Sequence, residues 1–424
     1  MHGMPPAPPA KHSPAGLSPR IMLPLLVVMN GVGTISLYMM VPALPVLAAE
    51  FGRDISVAQM TVSLYMVGLA VSQMVMGPLS DHFGRRPVLL GGIGLSVISG
   101  IACIFATTLP QLIVARFFQA LGGASGMVVG RAIIRDIYGR ERIGSMLSLV
   151  TAVVMIAQML SPLIGGLLDT QWGWPSIFYL QAGSAFLIVL AIALGLPETR
   201  RVRAAGDSFL RDVRQLATSR AYIGYMLCTV LGSQIVFAFS GGGPYIVISH
   251  MGRSSAEYGA WFATTGFAYL LGSLLNVRFA PRHSLEKLIW FGLALQFLGS
   301  ALNLVWSITG VNELPIWLFL TQTLVYFGNS FVLSNSMAGA ISVRPQAAGT
   351  ATGAAGFVQM GVGALFSQLG AYLGGHFSSS VPLMASLLVL SLACACSAFF
   401  LVPRRKILVT KKMLIKAEED TTPL

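Results

Sequence analysis

The hydrophobic residues of the chain are gathered into long apolar runs, and short polar segments separate these runs. An α-helix of about 20 apolar residues crosses the hydrocarbon core of a bilayer, so each run is predicted to be a membrane-spanning helix. The short connections predict that consecutive helices are antiparallel. The twelve predicted spans are 21–48, 56–79, 87–107, 110–134, 143–168, 174–196, 221–247, 257–279, 286–309, 314–339, 347–373 and 381–402.

The longest polar stretch, 198–220, carries six arginines and divides the spans into six and six. We interpret it as a cytoplasmic linker between two helical bundles of an all-α polytopic membrane protein. The amino-terminal segment is rich in proline and polar or small residues, and such segments stay disordered. The predicted organisation is a disordered cytoplasmic tail at 1–20, a six-helix bundle at 21–197, the linker at 198–220, a second six-helix bundle at 221–403 and a cytoplasmic tail at 404–424.

Composition supports a membrane protein. Of the 424 residues, 55% are hydrophobic and only 10% are charged, whereas a soluble domain carries about 25% charged residues. The mean hydropathy is +0.75. These values exclude a soluble globular enzyme.

The formal net charge of +12 is a possible sign of a nucleic-acid partner, but the placement of the charges argues against one. Of the 27 lysines and arginines, only Arg53 and Arg253 fall in odd-numbered loops between spans. Basic residues are retained on the cytoplasmic side of a membrane, so both termini are predicted to be cytoplasmic.

The residues that commonly bind metals or react covalently show no site pattern. The four cysteines lie inside apolar runs without a CxxC pair, and the six histidines have no metal-ligand spacing. The sequence contains no G-x-x-x-x-G-K-[ST] loop and no recognisable pairing of nucleophile and base. We therefore expect no metal, no cofactor, no enzymatic activity and no ATP-driven pump.

The most informative loop is GPLSDHFGRRPVLL at 77–90. Asp81 can accept hydrogen bonds from a helix N-terminus, Gly84 permits a tight turn, and the two arginines hold the turn at the cytoplasmic side. The loop resembles the G-x-L-x-D-R-x-G-R-[KR] pattern between helices two and three of the major facilitator superfamily. The matching positions are Gly77, Leu79, Asp81, Gly84, Arg85 and Arg86, and His82 replaces the usual basic residue.

This resemblance implies two pseudo-symmetric six-helix bundles around a central cavity. In the family, a charge cluster connects this loop to the end of helix four. Asp81, Arg85 and Asp136 are therefore predicted to form a conformational latch that is stable only when the transporter faces outward. Gly77, Gly84 and Arg86 belong to the same predicted latch. A static ion pair that fixes the turn is the alternative.

The fourth span carries a charge, Arg116, whose insertion at the centre of a bilayer costs about 2.5–3.5 kcal/mol. Gln119 lies on the same helix face and can hydrogen-bond to it. The R-x-x-Q-x-x-G arrangement resembles the fourth-helix motif of the family, whose arginine faces the central cavity, although Ala120 departs from it. The alternative is that Arg116 extends to the membrane surface, which is also the favoured interpretation for Arg131.

The fifth span contains AQMLSPLIGGLLD at 157–169. Proline removes a backbone donor and bends a helix, and the two glycines let another helix pack closely. The segment resembles the family's exporter pattern G-x-x-x-G-P-x-x-G-G. The residues assigned to this motif are Ser161, Pro162, Gly165 and Gly166, although a generic proline kink has similar features.

The segments VPALP, RFFQALGG and GRAIIRD, together with the loop at 77–90, resemble the Bcr/CflA-type branch of the drug:proton antiporters. Relatives often carry a carboxylate in the first helix, where this chain has Tyr38. The middle of the predicted spans contains no Asp, Glu or His. Proton coupling therefore rests on the resemblance, with Asp81, Asp136 and Asp169 as weaker candidates for a proton carrier.

Polar and aromatic positions on helix faces predict the wall of the cavity. Buried amides need hydrogen-bond partners, so they are expected to face either the cavity or a neighbouring helix. Contact between helices remains the alternative for each residue. The predicted cavity residues are Asn30, Thr34, Tyr38, Arg116, Gln119, Gln234, Phe237, Gln322, Tyr326, Asn329 and Gln359. The glycines of GGGPY at 241–245 are expected to break the seventh helix as a hinge.

The leading hypothesis is a monomeric secondary transporter of the cytoplasmic (inner) membrane, with both termini cytoplasmic. It exports small amphipathic drugs or metabolites by alternating access in exchange for protons. One alternative is an uncoupled or differently coupled exporter or facilitator of an endogenous metabolite. Another is a membrane sensor that has lost transport. The expected partners are a small-molecule substrate, protons and the lipid bilayer, without nucleic acid.

Overall fold

A computed structural model describes residues 19–138, 143–199, 214–311, 314–344 and 348–402. The tail at 1–18, the central part of the predicted linker and the tail from 403 on lie outside these residues. The long helices are α1 (Pro19–Met39), α2 (Leu44–Glu50), α3 (Ile55–Phe83), α4 (Arg85–Ile104), α5 (Leu109–Ile137), α6 (Ile143–Trp172), α7 (Pro175–Gly195), α8 (Arg220–Pro244), α9 (Ser255–Phe279), α10 (Leu285–Ile308), α11 (Pro315–Val343), α12 (Ala348–Gly375) and α13 (Val381–Leu401).

Each predicted span coincides with a helix, and the first span consists of α1 and α2 joined by a 3₁₀ turn at Val41–Ala43. Within the described residues, eleven spans are long and apolar enough to cross a membrane. The remaining span, α12, has 28 residues and is long enough, but it is rich in glycine. The prediction of an all-α membrane protein with twelve spans in two six-helix bundles is confirmed.

Local sequence signals explain where the helices begin and end. The Asp54 side chain accepts a hydrogen bond from the Ser56 backbone N–H at 2.7 Å and caps the start of α3. Gly84, with a φ of 103°, lies between α3 and α4 in a conformation that favours glycine. Pro175 and Pro315 occupy the first positions of their helices, where the missing N–H costs nothing.

The seventh span differs from its prediction. Helix α8 continues through Gly241–Gly243 to Pro244, and a π-helical turn follows at Tyr245–His250. A Cβ atom on Gly241 would collide with the Ser367 carbonyl oxygen, and one on Gly242 with the Gly370 carbonyl oxygen. The prediction of a helix break at these glycines is wrong, because the glycines allow α8 to pack closely against α12.

The helices form two bundles that meet along two pairs of helices. In the first bundle α5 packs against α1, α3 and α4, and in the second α11 packs against α8, α9 and α10. Contact between the bundles is mainly α3 against α12 and α6 against α9. We call the end that carries the Gly84 turn the basic end, and the opposite end, which carries Asp54, the far end.

Candidate functional site

A cavity of about 200 Å³ lies between the two bundles. The first bundle contributes wall residues from α1 and α6, and the second contributes them from α8, α9, α11 and α12. Five aromatic rings form much of the wall, from Tyr38, Phe237, Phe262, Tyr269 and Tyr326. The wall is therefore built mainly by the second bundle.

Methionine side chains and neutral amides complete the wall. Methionine side chains come from positions 155, 159 and 360, and amides come from Gln158, Asn329 and Gln359. Methionine adapts its shape to irregular apolar ligands, and aromatic rings offer large flat contact areas. None of the described side chains that line the cavity is charged. The surface therefore suits an uncharged amphipathic molecule.

Six of the eleven predicted cavity residues line this cavity, namely Thr34, Tyr38, Phe237, Tyr326, Asn329 and Gln359. The other five, Asn30, Arg116, Gln119, Gln234 and Gln322, are buried within a single bundle instead. Asn30 and Gln234 each donate a hydrogen bond to the backbone oxygen four residues earlier, at 2.7 Å. Helix periodicity identifies an inner face but does not separate the cavity wall from the interior of one bundle.

Sequence reasoning missed the wall residues of α6 and α9, among them Gln158, Phe262 and Tyr269. A signal for them existed in the small residues of these two helices. Gly259 of α9 packs so closely that a Cβ atom would meet the Pro162 carbonyl oxygen of α6. Helices in such close contact across the two bundles place their adjoining side chains at the cavity.

Arg116 lies fully buried inside the first bundle. Its Nη1 atom donates to Oε1 of Gln119 at 2.7 Å, and its Nη2 atom donates to the Ser36 carbonyl oxygen at 3.3 Å. Gln119 in turn donates to Oε1 of Gln181 at 3.0 Å. The guanidinium carbon is 3.9 Å from the ring centroid of Tyr65, a cation–π contact.

This arrangement bears on both expectations for Arg116, namely a position at the cavity and a position at the membrane surface. The side chain does not reach the surface, and it does not line the cavity, because neutral acceptors and a ring face hold it between α1, α3, α5 and α7. Among the described residues, no carboxylate forms an ion pair with it. Arg131, in contrast, is exposed. Arg116 therefore acts as a structural centre of the first bundle in this state.

The turn at the basic end brings the predicted latch charges together. Nη1 of Arg85 is 2.6 Å from Oδ1 of Asp81, and Nε of Arg85 is 3.2 Å from Oδ2 of Asp136. Arg85 also donates to the Ser80 hydroxyl at 2.6 Å. All these groups belong to the first bundle, so the ion pairs fix the turn to the end of α5.

Glu198, which the sequence analysis did not single out, completes this turn. Its Oε1 atom accepts a hydrogen bond from the Arg85 backbone N–H at 2.9 Å, and its Oε2 atom accepts one from the Arg86 N–H at 3.1 Å. It thereby caps the N-terminus of α4, the role that Asp81 was predicted to have. An acid directly after a span, at the start of an arginine-rich segment, was the available signal.

Hydrogen bonds and an ion pair join the two bundles toward the far end. Gln59 donates to the Ser367 hydroxyl at 2.8 Å, and the Ala256 N–H donates to the Thr170 hydroxyl at 3.2 Å. Nε2 of His376 is 3.0 Å from Oδ2 of Asp54. The hydrogen bond from the Ser56 N–H, more than His376, holds the pKa of Asp54 below its usual value. The far end is therefore closed.

The fifth-span motif contributes to this closure. A Cβ atom on Gly165 would collide with the Met39 carbonyl oxygen, and one on Gly166 with the Ser255 carbonyl oxygen of the other bundle. The Ser161 hydroxyl donates to the Gln158 carbonyl oxygen at 2.7 Å, at the proline-bearing part of α6. The motif therefore allows the backbones of α6, α1 and α9 to meet at the far end.

The latch charges are thus paired while the far end is closed. This observation favours the alternative of a static ion pair that fixes the turn. The expectation that the pairs form only when the transporter faces outward stays a prediction, and so does a function of this turn in conformational change.

Two six-helix bundles in a membrane, with a cavity between them that is closed at one end, define a helical membrane transporter. The profile of the Major Facilitator Superfamily matches residues 26–367, so the chain belongs to this family. It is a multi-pass membrane protein and a transporter rather than an enzyme.

Curated relatives cover most of the chain. It is 27% identical to the bicyclomycin resistance protein homolog of Haemophilus influenzae over 84% of this chain and 90% of the relative. It is 28% identical to multidrug resistance protein D of Escherichia coli, over 87% and 92%. It is 29% identical to the chloramphenicol resistance protein of Pseudomonas aeruginosa, over 74% and 75%.

Solved structures support the same fold. A peptide transporter POT in complex with sulfate superposes with a TM-score of 0.71 at 16% identity and covers 89% of this chain and 94% of its own. A bacterial homolog of the human lysosomal transporter Spinster, inward-facing and unoccupied, superposes with a TM-score of 0.67 at 15% identity, over 91% and 96%. These likenesses concern the fold alone.

Proposed function

We propose that this protein exports small, uncharged amphipathic drugs across the bacterial inner membrane, with both termini in the cytoplasm. The observation that carries the proposal is the cavity between the bundles, whose wall of aromatic rings, methionines and amides has no charged side chain among its described residues. The relatives named for resistance to bicyclomycin, chloramphenicol and multiple drugs support export of such molecules.

Alternating access is the mechanism that the contacts between the bundles support. At the far end, the bundles meet through short polar contacts and through the glycine face at Gly166. A hydrophobic cluster shared by both bundles, which includes Leu44 and Tyr245, adds to this contact. Rocking the bundles apart there, while they meet at the basic end, would turn the cavity from one side of the membrane to the other. A monomer suffices for this motion.

Exchange for protons is the coupling that the family resemblance implies. Asp81 and Asp136 are held in ion pairs with Arg85, and Asp169 is buried near the far end. The absence of a carboxylate among the described wall residues favours a second candidate, an exporter or facilitator without proton coupling. Both candidates share the cavity and differ only in the driving force.

Reconstituted protein tests the proposal directly. We expect proteoliposomes to move chloramphenicol, which is uncharged, and to discriminate against ethidium, which is a permanent cation. An imposed pH gradient and an internal pH dye then separate the two candidates. Proton flux that depends on chloramphenicol supports antiport, whereas chloramphenicol movement without proton flux supports the uncoupled candidate. Ethidium movement at the same rate as chloramphenicol would contradict the selectivity for uncharged molecules.

A further inference from the structure

The second bundle contains a cluster of neutral polar side chains beside the cavity. Ser240 of α8, Tyr258 of α9, and Gln322 and Tyr326 of α11 are at most 5% exposed. The Tyr258 hydroxyl and both amide atoms of Gln322 make no hydrogen bond to a described residue, and the hydroxyls of Ser240 and Tyr326 lie against each other. We call these four residues the hydroxyl–amide cluster.

The hydroxyl–amide cluster is continuous with the cavity. The Tyr326 side chain forms part of the cavity wall, and the Ser240 side chain lies against its hydroxyl. The ring of Phe262, another wall residue, is 5.9 Å from the Tyr326 ring and 5.8 Å from the Tyr258 ring, between centroids. Gln322 precedes Tyr326 by one turn on the same face of α11. The cluster therefore lies directly behind the wall, toward the far end.

Burial without a partner is costly for such groups. A buried donor or acceptor that makes no hydrogen bond costs about 1–3 kcal/mol. Native structures satisfy nearly all such groups, so several of them in one place call for a partner from outside the protein. The nearby wall residue Asn329 shows the contrast, because its Oδ1 atom accepts a hydrogen bond from Gln296 at 2.8 Å.

We propose that the hydroxyl–amide cluster is a subsite that binds an uncharged hydroxyl or amide group of the transported molecule. The cluster offers hydroxyls and one amide, which can both donate and accept, and it contains no charged group. It therefore selects neutral molecules that carry such a group on an aromatic or aliphatic body. This inference rests on the proposed export function.

Two phenicols that differ at one position test the subsite. Thiamphenicol carries a hydroxyl group where florfenicol carries fluorine, which cannot donate a hydrogen bond. Transport into proteoliposomes and the thermal shift of the detergent-solubilised protein are measured with both compounds. For the wild type we expect a KM for thiamphenicol that is about 3–10-fold lower than for florfenicol, the equivalent of one net hydrogen bond.

Two variants test whether the cluster causes this preference, and a third variant is the control. Tyr326→Phe and Gln322→Leu are expected to bring the ratio of the two KM values close to one, chiefly through weaker thiamphenicol transport. Ser300→Ala is the matched control, since it removes a buried hydroxyl that has no described partner and lies away from the cavity. The control is expected to keep the wild-type ratio.

The outcomes separate the subsite from the export function. Equal KM values for the two compounds in the wild type, or a ratio that Tyr326→Phe and Gln322→Leu leave unchanged, would overturn the subsite while export stands. Failure of the wild type to move or bind either phenicol would overturn both proposals for this class of compounds. The thermal shift identifies a variant that has lost its fold.

Discussion

The fourth helix of each bundle carries a buried glutamine, and the two glutamines have opposite surroundings. On α5, Gln119 accepts a hydrogen bond from Arg116 and donates one to Gln181. On α11, neither amide atom of Gln322 has a hydrogen-bond partner among the described residues. The difference teaches that neighbouring protein groups hold the glutamine of the first bundle, whereas the corresponding glutamine of the second bundle lies beside the cavity without such partners.

The two bundles also contribute unequally to the cavity wall. Among the described residues, the first bundle supplies wall residues from α1 and α6, and the buried Arg116 does not line the wall. The second bundle supplies the other four wall-forming helices and the hydroxyl–amide cluster. We interpret the first bundle as the rigid partner and the second as the bundle that recognises the ligand.

The largest expected effect follows when the hydrogen-bond network around Arg116 in the first bundle is broken. Arg116→Met leaves Gln119 and the Ser36 carbonyl oxygen with fewer partners in a dry interior, so we expect a loss of about 2–4 kcal/mol of stability. The unfolding midpoint in detergent and the transport rate measure it. Gln322→Leu is the control, because removal of a glutamine without partners is expected to cost less than about 1 kcal/mol. Equal losses in the two variants would contradict the asymmetry.

The two bundles also differ in their surface turns at the basic end. Glu198→Ala removes both carboxylate acceptors from the N-terminus of α4, and we expect a loss of about 1–2 kcal/mol. In the corresponding turn of the second bundle Arg282 is exposed, so Arg282→Ala is expected to change stability by at most about 0.5 kcal/mol. Chemical unfolding of both variants checks this, and a larger effect at Arg282 would refute the difference between the turns.

A smaller effect concerns the contact between the bundles. Gln59→Leu removes the hydrogen bond to Ser367 across the closed far end. One lost hydrogen bond of about 1 kcal/mol shifts the balance of open and closed forms about fivefold toward opening. Distances between spin labels on either side of the far end report the shift. The control is Ser72→Ala, whose hydrogen bond to Leu121 stays within the first bundle, and an equal shift there would argue against the assignment.

The smallest expected effect comes from the partly exposed pair Asp54–His376. The hydrogen bond from the Ser56 N–H, followed by the contact with His376, holds the pKa of Asp54 below its usual value, so Asp54 is ionised at neutral pH. Its contribution to the pair is lost only as the pH falls through this lowered pKa. Because the pair is partly exposed, we expect it to stabilise the closed far end by at most about 1 kcal/mol.

The same spin-label measurement at neutral pH checks this pair. His376→Gln is expected to shift the balance toward opening by less than Gln59→Leu does, while the closed form persists through the other contacts of the far end. A larger shift in His376→Gln than in Gln59→Leu would contradict the ranking of the two contacts.

The sequence predicted the fold because bilayer physics leaves few alternatives. A run of about 20 apolar residues in a membrane must be a helix, and the charge of the loops divides the chain in two. The predicted helix break at Gly241–Gly243 was wrong, since glycine serves both flexibility and close packing. Only the neighbouring carbonyl oxygens of α12 show which of the two applies.

The candidate site was less predictable, because an inward-facing helix position can line either the cavity or the interior of one bundle. Tyr326 lines the cavity and Gln322, one turn away, does not. Arg116 was assigned to the cavity by family resemblance, and its acceptor Ser36 lies 80 residues from it in sequence. Gln181, which accepts a hydrogen bond from Gln119, lies 62 residues from Gln119. Glu198 similarly acts on a helix more than 100 residues earlier. A local pattern can mark such a residue, but it does not identify the distant group that the residue contacts.

The glycine-rich composition of α12 has a consequence for how the protein is made. A segment that is only moderately apolar gains little free energy when it leaves the ribosome and partitions alone into lipid. Close packing on α8 through Gly241 and Gly370 supplies the stabilisation that its own side chains lack. During biosynthesis α12 is therefore expected to enter the bilayer beside helices already in place. A Cβ atom on Gly370 would collide with the Ala238 carbonyl oxygen of α8, so substitutions at Gly370 are expected to lower the yield of inserted protein.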